Sequence, residues 1–169
     1  MTMAQLKYLV IHCTATPEGR DVSAADIRRM HCSPVSAGGR GWKQVGYTDL
    51  FRLDGTVERL VNNNEDANVD PWEVTNGAKG YNSISRHIVY AGGCDKSMKP
   101  KDTRTAAQKK AMAAYVLDFH RRFPGVKIIG HRDLSPDLNG NGIIEPFEFM
   151  KACPSFEVSE WLKSIGINQ

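Results

Sequence analysis

Apolar residues along this chain fall into short strand-like runs and longer helical repeats. Residues 8–11, 84–90 and 126–131 are rich in β-branched and large apolar side chains, which is typical of buried strands. A hairpin is predicted between residues 47–53 and 56–61, because an Asp-Gly pair between two strand-like runs favours a tight turn. The sequence therefore predicts about five strands.

Three helices are predicted between and after these runs. The first begins after Ser23, whose side chain can cap it, with Asp26 as the partner in a capping box. The second is predicted over residues 103–123, with Thr103 or Thr105 as its cap, and the third from Ser155, each with apolar residues at helical spacing. Because strands alternate with helices and a hairpin intervenes, we expect a single α/β domain over residues 1–169. It should contain a central mixed sheet flanked by helices on both faces.

The composition narrows the class of protein. A chain of 169 residues, 41% hydrophobic and 24% charged, suits one globular core. No apolar run approaches the ~20 residues of a membrane-spanning helix, and the first residues lack the pattern of a secretory signal. The net charge of +3 mildly favours a polyanionic surface such as a cell wall. Since no basic block with interleaved aromatic residues occurs, we expect no binding of nucleic acid. We also expect a monomer.

Two of the predicted strands end on a histidine, at His12 and at His131. Ligands bind at the carboxyl ends of strands in open α/β sheets, so neighbouring parallel strands would bring these two side chains together. Cys153 is a candidate third ligand, because a catalytic zinc ion takes three nitrogen or sulfur ligands and leaves one position open. It also precedes a predicted helix start, where a thiolate is favoured.

The same residues have a simpler interpretation. A histidine at the end of an apolar strand is more often a hydrogen-bonded residue than a ligand, and a free cysteine is more often a small buried apolar residue. Spacing alone does not decide between the two interpretations, because ligands far apart in sequence have no local signature.

Seven segments, in order, resemble the zinc amidases that include the amidase-type phage lysozymes and the peptidoglycan recognition proteins. The resemblance covers most of the chain, from Tyr8 to Trp161. The segments are Ile11-His12-Cys13-Thr14-Ala15-Thr16, Asp26-Ile27-Arg28-Arg29-Met30-His31, Gly41-Trp42 with Val45-Gly46-Tyr47, Arg52-Leu53-Asp54-Gly55-Thr56-Val57-Glu58, Ala78-Lys79-Gly80-Tyr81-Asn82, Gly130-His131 and Lys151-Ala152-Cys153-Pro154-Ser155-Phe156.

The resemblance to the N-acetylmuramoyl-L-alanine amidases implies a function and a set of site residues. The implied reaction is zinc-dependent hydrolysis of the amide between N-acetylmuramic acid and L-alanine in peptidoglycan. The zinc ligands fall on His12, His131 and Cys153, and the catalytic tyrosine and lysine on Tyr47 and Lys151. Without the resemblance, Tyr47 would be interpreted as packing in a strand and Lys151 as a solvated surface charge.

The resemblance also suggests where substrate binds. The loop over residues 77–82 is expected to border the groove, and sugar rings stack on aromatic faces. The candidate contacts are therefore Trp42, Lys79, Tyr81 and Asn82, with Trp72 as a further aromatic. The alternative for the loop is an ordinary connection.

The remaining histidines and cysteines are expected to be structural. His31 lies on the apolar face of the first helix with Ile27 and is interpreted as holding a loop, while His87 and His120 are interpreted as structural or exposed. Cys13 directly follows His12, an implied zinc ligand, in a strand. Its side chain should therefore point to the face of the sheet opposite to that of His12.

An insert between His131 and Cys153, which the short phage enzymes lack, carries a second pattern. Residues 137–148 fit the EF-hand calcium loop, with Gly142 at its sixth position. The predicted ligands are Asp137, Asn139, Asn141, Ile143 through its carbonyl, and Glu148. The alternative is a turn rich in Asn and Gly, and prolines at positions 136 and 146 argue against regular flanking helices.

Two other functions are compatible with these residues. The first is a module that binds muropeptides without cutting them, against which Cys153 argues. The second is a zinc amidase for a different amide, such as a stem peptide that carries no sugar.

Overall fold

The computed structural model describes residues 2–149 and 151–169, and within them a five-stranded sheet forms the centre of the molecule. The strands of the described residues are β1 (Ala4–Gln5), β2 (Tyr8–Cys13), β3 (Thr16–Pro17), β4 (Asp49–Phe51), β5 (Val57–Arg59), β6 (Asn68–Val69), β7 (Ser85–Tyr90), β8 (Gly93–Cys94) and β9 (Lys127–Gly130). The helices are α1 (Ala24–Cys32), α2 (Ala106–Arg122) and α3 (Val158–Ser164).

The central sheet is mixed, with the strand order β5-β4-β7-β2-β9. Strands β4, β7, β2 and β9 run parallel to one another, and within this sheet only β5 is antiparallel, to its hairpin partner β4. This confirms the predicted α/β class and the mixed sheet of five strands. The four remaining short strands form two separate pairs, β1 with β6 and β3 with β8.

The two faces of the sheet bury separate apolar clusters. Successive residues along a strand point to opposite faces, so Leu50 and Val89 pack under α1, whereas Phe51 and Tyr90 pack under α2 and α3. Ile27 of α1 belongs to the first cluster. The prediction of helices on both faces is therefore confirmed.

Local signals set the starts of the first two helices. The Ser23 side chain accepts from the Asp26 amide and the Asp26 carboxylate accepts from the Ser23 amide, which completes the predicted capping box. Thr105 caps α2 in the same reciprocal way with Gln108. Because the cap lies at Thr105, α2 starts later than residue 103.

Two sequence-based boundaries are wrong. The last helix begins at Val158 instead of Ser155, because Ser155 has a positive φ of 71°, which is incompatible with a right-handed helix. The hairpin strands are shorter than predicted, and Tyr47 precedes β4 instead of beginning a strand. Tyr47 is therefore carried by the loop that precedes β4.

None of the helices in the described part of the chain is both long and apolar enough to span a membrane.

Burial along α2 gives a test of the packing. Met112 is 0% exposed and Leu117 is 43% exposed on the same helix. Met112→Ala removes buried methylene groups and leaves a cavity, so it should reduce the free energy of unfolding by about 2–5 kcal/mol. Urea denaturation measures this change. Leu117→Ala is the matched control and should change stability by less than about 1 kcal/mol; equal losses in the two variants would contradict the described packing.

Candidate active site

The pairing of β2 with β9 brings the two strand-end histidines together. In this parallel pair Ile11 lies opposite Gly130. His12 follows Ile11 within β2, and His131 directly follows the end of β9. Their ring centroids are 4.6 Å apart. The strand-end argument from the sequence therefore predicted their proximity correctly.

Cys153 completes a three-residue cluster with these histidines. One candidate ligand atom from each residue lies within 4.8 Å of the others, and no other such group of three or more His, Cys, Asp or Glu residues occurs among residues 2–149 and 151–169. The Cys153 Sγ is 3.7 Å from His12 Nδ1. Two atoms bound tetrahedrally to one zinc ion, with bonds of about 2.3 Å to sulfur and 2.05 Å to nitrogen, would be about 3.6 Å apart. The donor set and its spacing therefore fit zinc.

Backbone contacts fix the segment that carries Cys153. The Arg132 amide donates to the Cys153 carbonyl at 2.8 Å, which ties the segment to the end of β9. The Tyr90 hydroxyl donates to the Pro154 carbonyl at 2.6 Å, and the Cys13 amide donates to the Cys153 Sγ at 3.2 Å. The helix start predicted at Ser155, shortly after Cys153, is wrong, since α3 begins at Val158. A backbone amide, and not a helix N-terminus, faces this sulfur.

Burial keeps the two histidines neutral. It lowers the pKa of His12 well below its usual range, helped by the neighbouring His87 and His131. Burial lowers the pKa of His131 to about 4, with a smaller contribution from the Lys151 charge. A neutral imidazole has a free lone pair, which a metal ligand requires.

The thiol of Cys153 has the opposite tendency. The adjacent Cys13 thiol and burial raise its pKa well above the usual value. A thiol ligand must lose its proton when a metal binds, so binding at this site should release a proton. Cys13 packs into the core on the face of the sheet opposite to that of His12, as predicted. Its sulfur nevertheless lies beside Cys153 and 3.9 Å from the Ser155 hydroxyl.

Tyr47 and Lys151 both line the cavity that contains the cluster. The Tyr47 ring lies 5.1 Å from that of His12, measured between centroids. Burial raises the pKa of Tyr47, so its phenol keeps its proton at neutral pH and can donate a hydrogen bond. The ammonium of Lys151 supplies positive charge near His131 and His12, whose pKa values it lowers.

His31 positions the loop that carries Tyr47. The Gly46 amide donates to His31 Nδ1 at 3.0 Å. The imidazole also lies 5.0 Å from the Trp42 ring and 5.3 Å from the Tyr47 ring, measured between centroids. The structure thus confirms that His31 holds a loop, and His31 is not part of the cluster of His12, His131 and Cys153.

The cavity has a volume of about 470 Å³ and joins the cluster to the predicted substrate contacts. Trp42, Lys79 and Tyr81 all line it. Trp72 does not and is instead exposed at the surface. Arg40, which the sequence did not indicate, lines the cavity with its guanidinium 5.0 Å from the Trp42 ring. With Lys79 and Lys151 it gives the cavity three cationic side chains.

The comparison with known sequences decides the family. The pattern of the family described as N-acetylmuramoyl-L-alanine amidase matches residues 2–155. The chain belongs to this family. Membership indicates an amidase that acts on peptidoglycan.

Individual relatives agree with this assignment. The endolysin of Klebsiella phage KP32 is 31% identical over 153 residues, which cover 90% of this amidase and 83% of the endolysin. The Ph2119 endolysin from the bacteriophage of Thermus scotoductus MAT2119 has a similar structure, with a TM-score of 0.65, 21% identity and coverage of 96% and 86% of the two chains. A complex of the ectodomains of peptidoglycan recognition proteins LCa and LCx with bound tracheal cytotoxin matches with a TM-score of 0.58, 23% identity and coverage of 96% and 86%. These structural likenesses establish the fold.

Two residues of the amidase have surroundings that sequence reasoning did not anticipate. His87, for which the sequence leaves a structural and an exposed interpretation open, is 0% exposed, and its Nδ1 lies 2.8 Å from His12 Nε2. Asn82, a predicted substrate contact, does not line the cavity. Its side-chain oxygen instead accepts from the Ala78 amide and lies 3.1 Å from His87 Nε2. No local sequence motif indicates which side chains the fold brings together. Neither the contact of His87 with His12 nor that of Asn82 with His87 could therefore be predicted.

The insert of the amidase is a tight loop closed on its own side chains. The Asp137 carboxylate accepts from the amides of Gly140 and Gly142. The carboxylate of Glu148, which is buried, accepts from the amides of Leu138, Asn139 and Glu145. These contacts are those of a turn rich in Asn and Gly and offer no support for calcium, whose binding at residues 137–148 stays a prediction.

The buried histidines give the amidase a predictable response to acid. Burial and the Arg40 charge lower the pKa of His31 to about 4, against about 6.5 in the unfolded chain. Between these values the unfolded state binds more protons, so stability is complete above about pH 6.5 and falls as the pH drops toward 4. For His31 the loss from pH 7 to pH 5 should be about 1–2 kcal/mol.

Urea denaturation of the metal-free amidase at pH 7 and pH 5 measures this loss. His31→Gln should reduce the difference between the two pH values, since a neutral amide replaces the imidazole. His120→Gln on α2 is the matched control and should leave the difference at its wild-type value. An unchanged difference in His31→Gln would contradict the assignment.

Proposed function

We propose that this amidase is a zinc enzyme that hydrolyses the amide between the lactyl group of N-acetylmuramic acid and L-alanine. The proposed ligands are His12, His131 and Cys153. The observation that carries the proposal is the meeting of these three donors in one cavity. Tyr47 and Lys151 line the same cavity, and the family supplies the reaction class.

A bound zinc ion supplies Lewis-acid polarisation of the amide carbonyl and lowers the pKa of a water molecule. The protein side chains account for the remaining requirements. Amide hydrolysis builds negative charge on the carbonyl oxygen, and the Lys151 Nζ carries the positive charge that stabilises it. The Tyr47 hydroxyl, which keeps its proton at neutral pH, orients the reacting groups by donating a hydrogen bond.

The proposed substrate contacts occupy the same cavity as the cluster. Trp42 and Tyr81 offer aromatic faces for sugar rings, and Lys79 with Arg40 offers positive charge for carboxylates of the stem peptide. Asn82 acts on the cavity wall through Ala78 and His87. A monomeric state remains our expectation.

The main rival function is binding of muropeptides without cleavage. The complex of peptidoglycan recognition proteins with tracheal cytotoxin illustrates such binding in a relative of similar fold. The complete His12, His131 and Cys153 set favours an enzyme here, because a binding module does not need a thiol and two neutral imidazoles at the base of its cavity.

The first test is the dependence of cleavage on metal. We expect digestion of purified peptidoglycan to release stem peptides that begin with L-alanine, detected by mass spectrometry. A chelator should abolish release, and added zinc should restore it. Cys153→Ala should lose zinc and activity while keeping its far-UV circular dichroism.

Cys32→Ala on α1, a cysteine that does not line the cavity, is the matched control and should behave as wild type. Full activity of Cys153→Ala would contradict the metal site. Binding of peptidoglycan without product would support the recognition module, and peptides released only from sugar-free substrates would support the other amidase.

The second test concerns the two proposed catalytic side chains. Lys151→Met removes the charge that faces the developing oxyanion and should lower kcat by about 10²–10³-fold. Tyr47→Phe removes one hydroxyl and should lower kcat by about 10²-fold or more. Steady-state kinetics on a soluble muropeptide measures both, with zinc content determined in parallel.

Neither substitution should change the zinc content, since neither residue is a proposed ligand. Lys110→Met on the exposed side of α2 is the matched control for lost charge. A wild-type kcat in Lys151→Met or Tyr47→Phe would remove that residue from the mechanism.

A further inference from the structure

His87 is a buried histidine that the proposed reaction does not use. It lies on β7, next to β2, and pairs with Val10 in the parallel register. Side chains two residues apart on a strand share a face, so His87 and His12 are diagonal neighbours on the cavity side of the sheet. Burial of an imidazole ring costs free energy unless its nitrogens form hydrogen bonds. Both nitrogens of His87 have hydrogen-bond partners.

The hydrogen bonds beyond His87 fix which atom is the donor. The Ala78 amide can only donate, and it contacts Asn82 Oδ1 at 2.8 Å, so that atom is the carbonyl oxygen. His87 Nε2 lies 3.1 Å from the same oxygen and must therefore carry a proton. In a neutral imidazole the other nitrogen is then an acceptor. His87 Nδ1 consequently accepts a hydrogen bond.

The same reasoning reaches His12. Its Nε2 lies 2.8 Å from His87 Nδ1 and donates to it. The proton of the neutral His12 ring is thus on Nε2, and its lone pair is on Nδ1. Nδ1 is the atom that faces Cys153 Sγ at 3.7 Å. The chain of contacts from Ala78 to His12 therefore selects the tautomer in which His12 can bind a metal.

The position of His87 is also fixed sterically. A Cβ atom at Gly77 would overlap the imidazole of His87, so the loop at Gly77 closes directly on this ring. The backbone at Gly77 therefore confines the ring on that side.

We propose that His87 is a positioning residue that accepts a hydrogen bond from His12 Nε2, and thereby holds His12 in the tautomer and orientation for zinc. Asn82 acts one step further out by holding His87. This inference rests on the proposed zinc dependence. A ligand histidine gains metal affinity when its second nitrogen has a fixed partner, and loss of such a partner lowers the affinity by about 10–100-fold.

The test compares His87→Asn with His87→Leu. The two side chains have similar size and the same branching, but only Asn carries an acceptor near the position of His87 Nδ1. Zinc affinity, measured by competition with a chromophoric chelator, should fall by about 10–100-fold in His87→Leu. It should stay close to the wild-type value in His87→Asn. Asn82→Ala should give a smaller loss, and His120→Asn on α2 should give none.

The outcomes separate this inference from the proposed function. If the wild type binds zinc and His87→Leu binds it as tightly, only the role of His87 is overturned. Equal weakening in the Asn and Leu variants also overturns it, because His87 would then act by filling space. A wild type that does not bind zinc would overturn the proposed function and this inference with it. Urea denaturation of each metal-free variant verifies folding, and Asn82→Ala tests the same contacts if His87→Leu does not fold.

Discussion

The parallel pairing of β2 with β9 is the constraint on which the site depends. The ladder between these two strands ends at Ile11 and Gly130, so the residues that follow, His12 and His131, fall beside each other. His12 and His131 are therefore brought together by the backbone ladder and not by flexible loops. A site on strand ends inherits the rigidity of the sheet, which suits a cluster whose donors must stay within a fixed distance of one another.

The rest of the site is attached to this edge by a few contacts. Backbone hydrogen bonds from Arg132 and Cys13 hold the Cys153 segment. On the other side of the cavity, His31 supports the loop with Tyr47 through the Gly46 amide. The polar groups on this face of the sheet are thus organised by neutral imidazoles, because burial disfavours their charged forms.

The sequence predicted the features that depend on local pattern. Strand ends indicated His12 and His131, and the Ser23 capping box marked α1. The assignments of Cys153, Tyr47 and Lys151 rested instead on the family resemblance, because these residues lie in loops, where apolar residues do not recur at a helix or strand spacing. The position of His87 against His12 depends on the strand order of the sheet, and the late start of α3 depends on the positive φ of Ser155. Neither property is encoded by a short motif.

The insert at residues 137–148 lies between two proposed ligands, yet its base is already closed where Arg132 bonds to Cys153. The free-energy cost of a longer closed loop grows only with the logarithm of its length. The residues between Arg132 and Cys153 can therefore change in number and in composition while His131 and Cys153 keep their positions. Leu138, Ile143 and Phe147 are exposed on it, so substitutions there change the surface of the amidase without changing the residues that line its cavity.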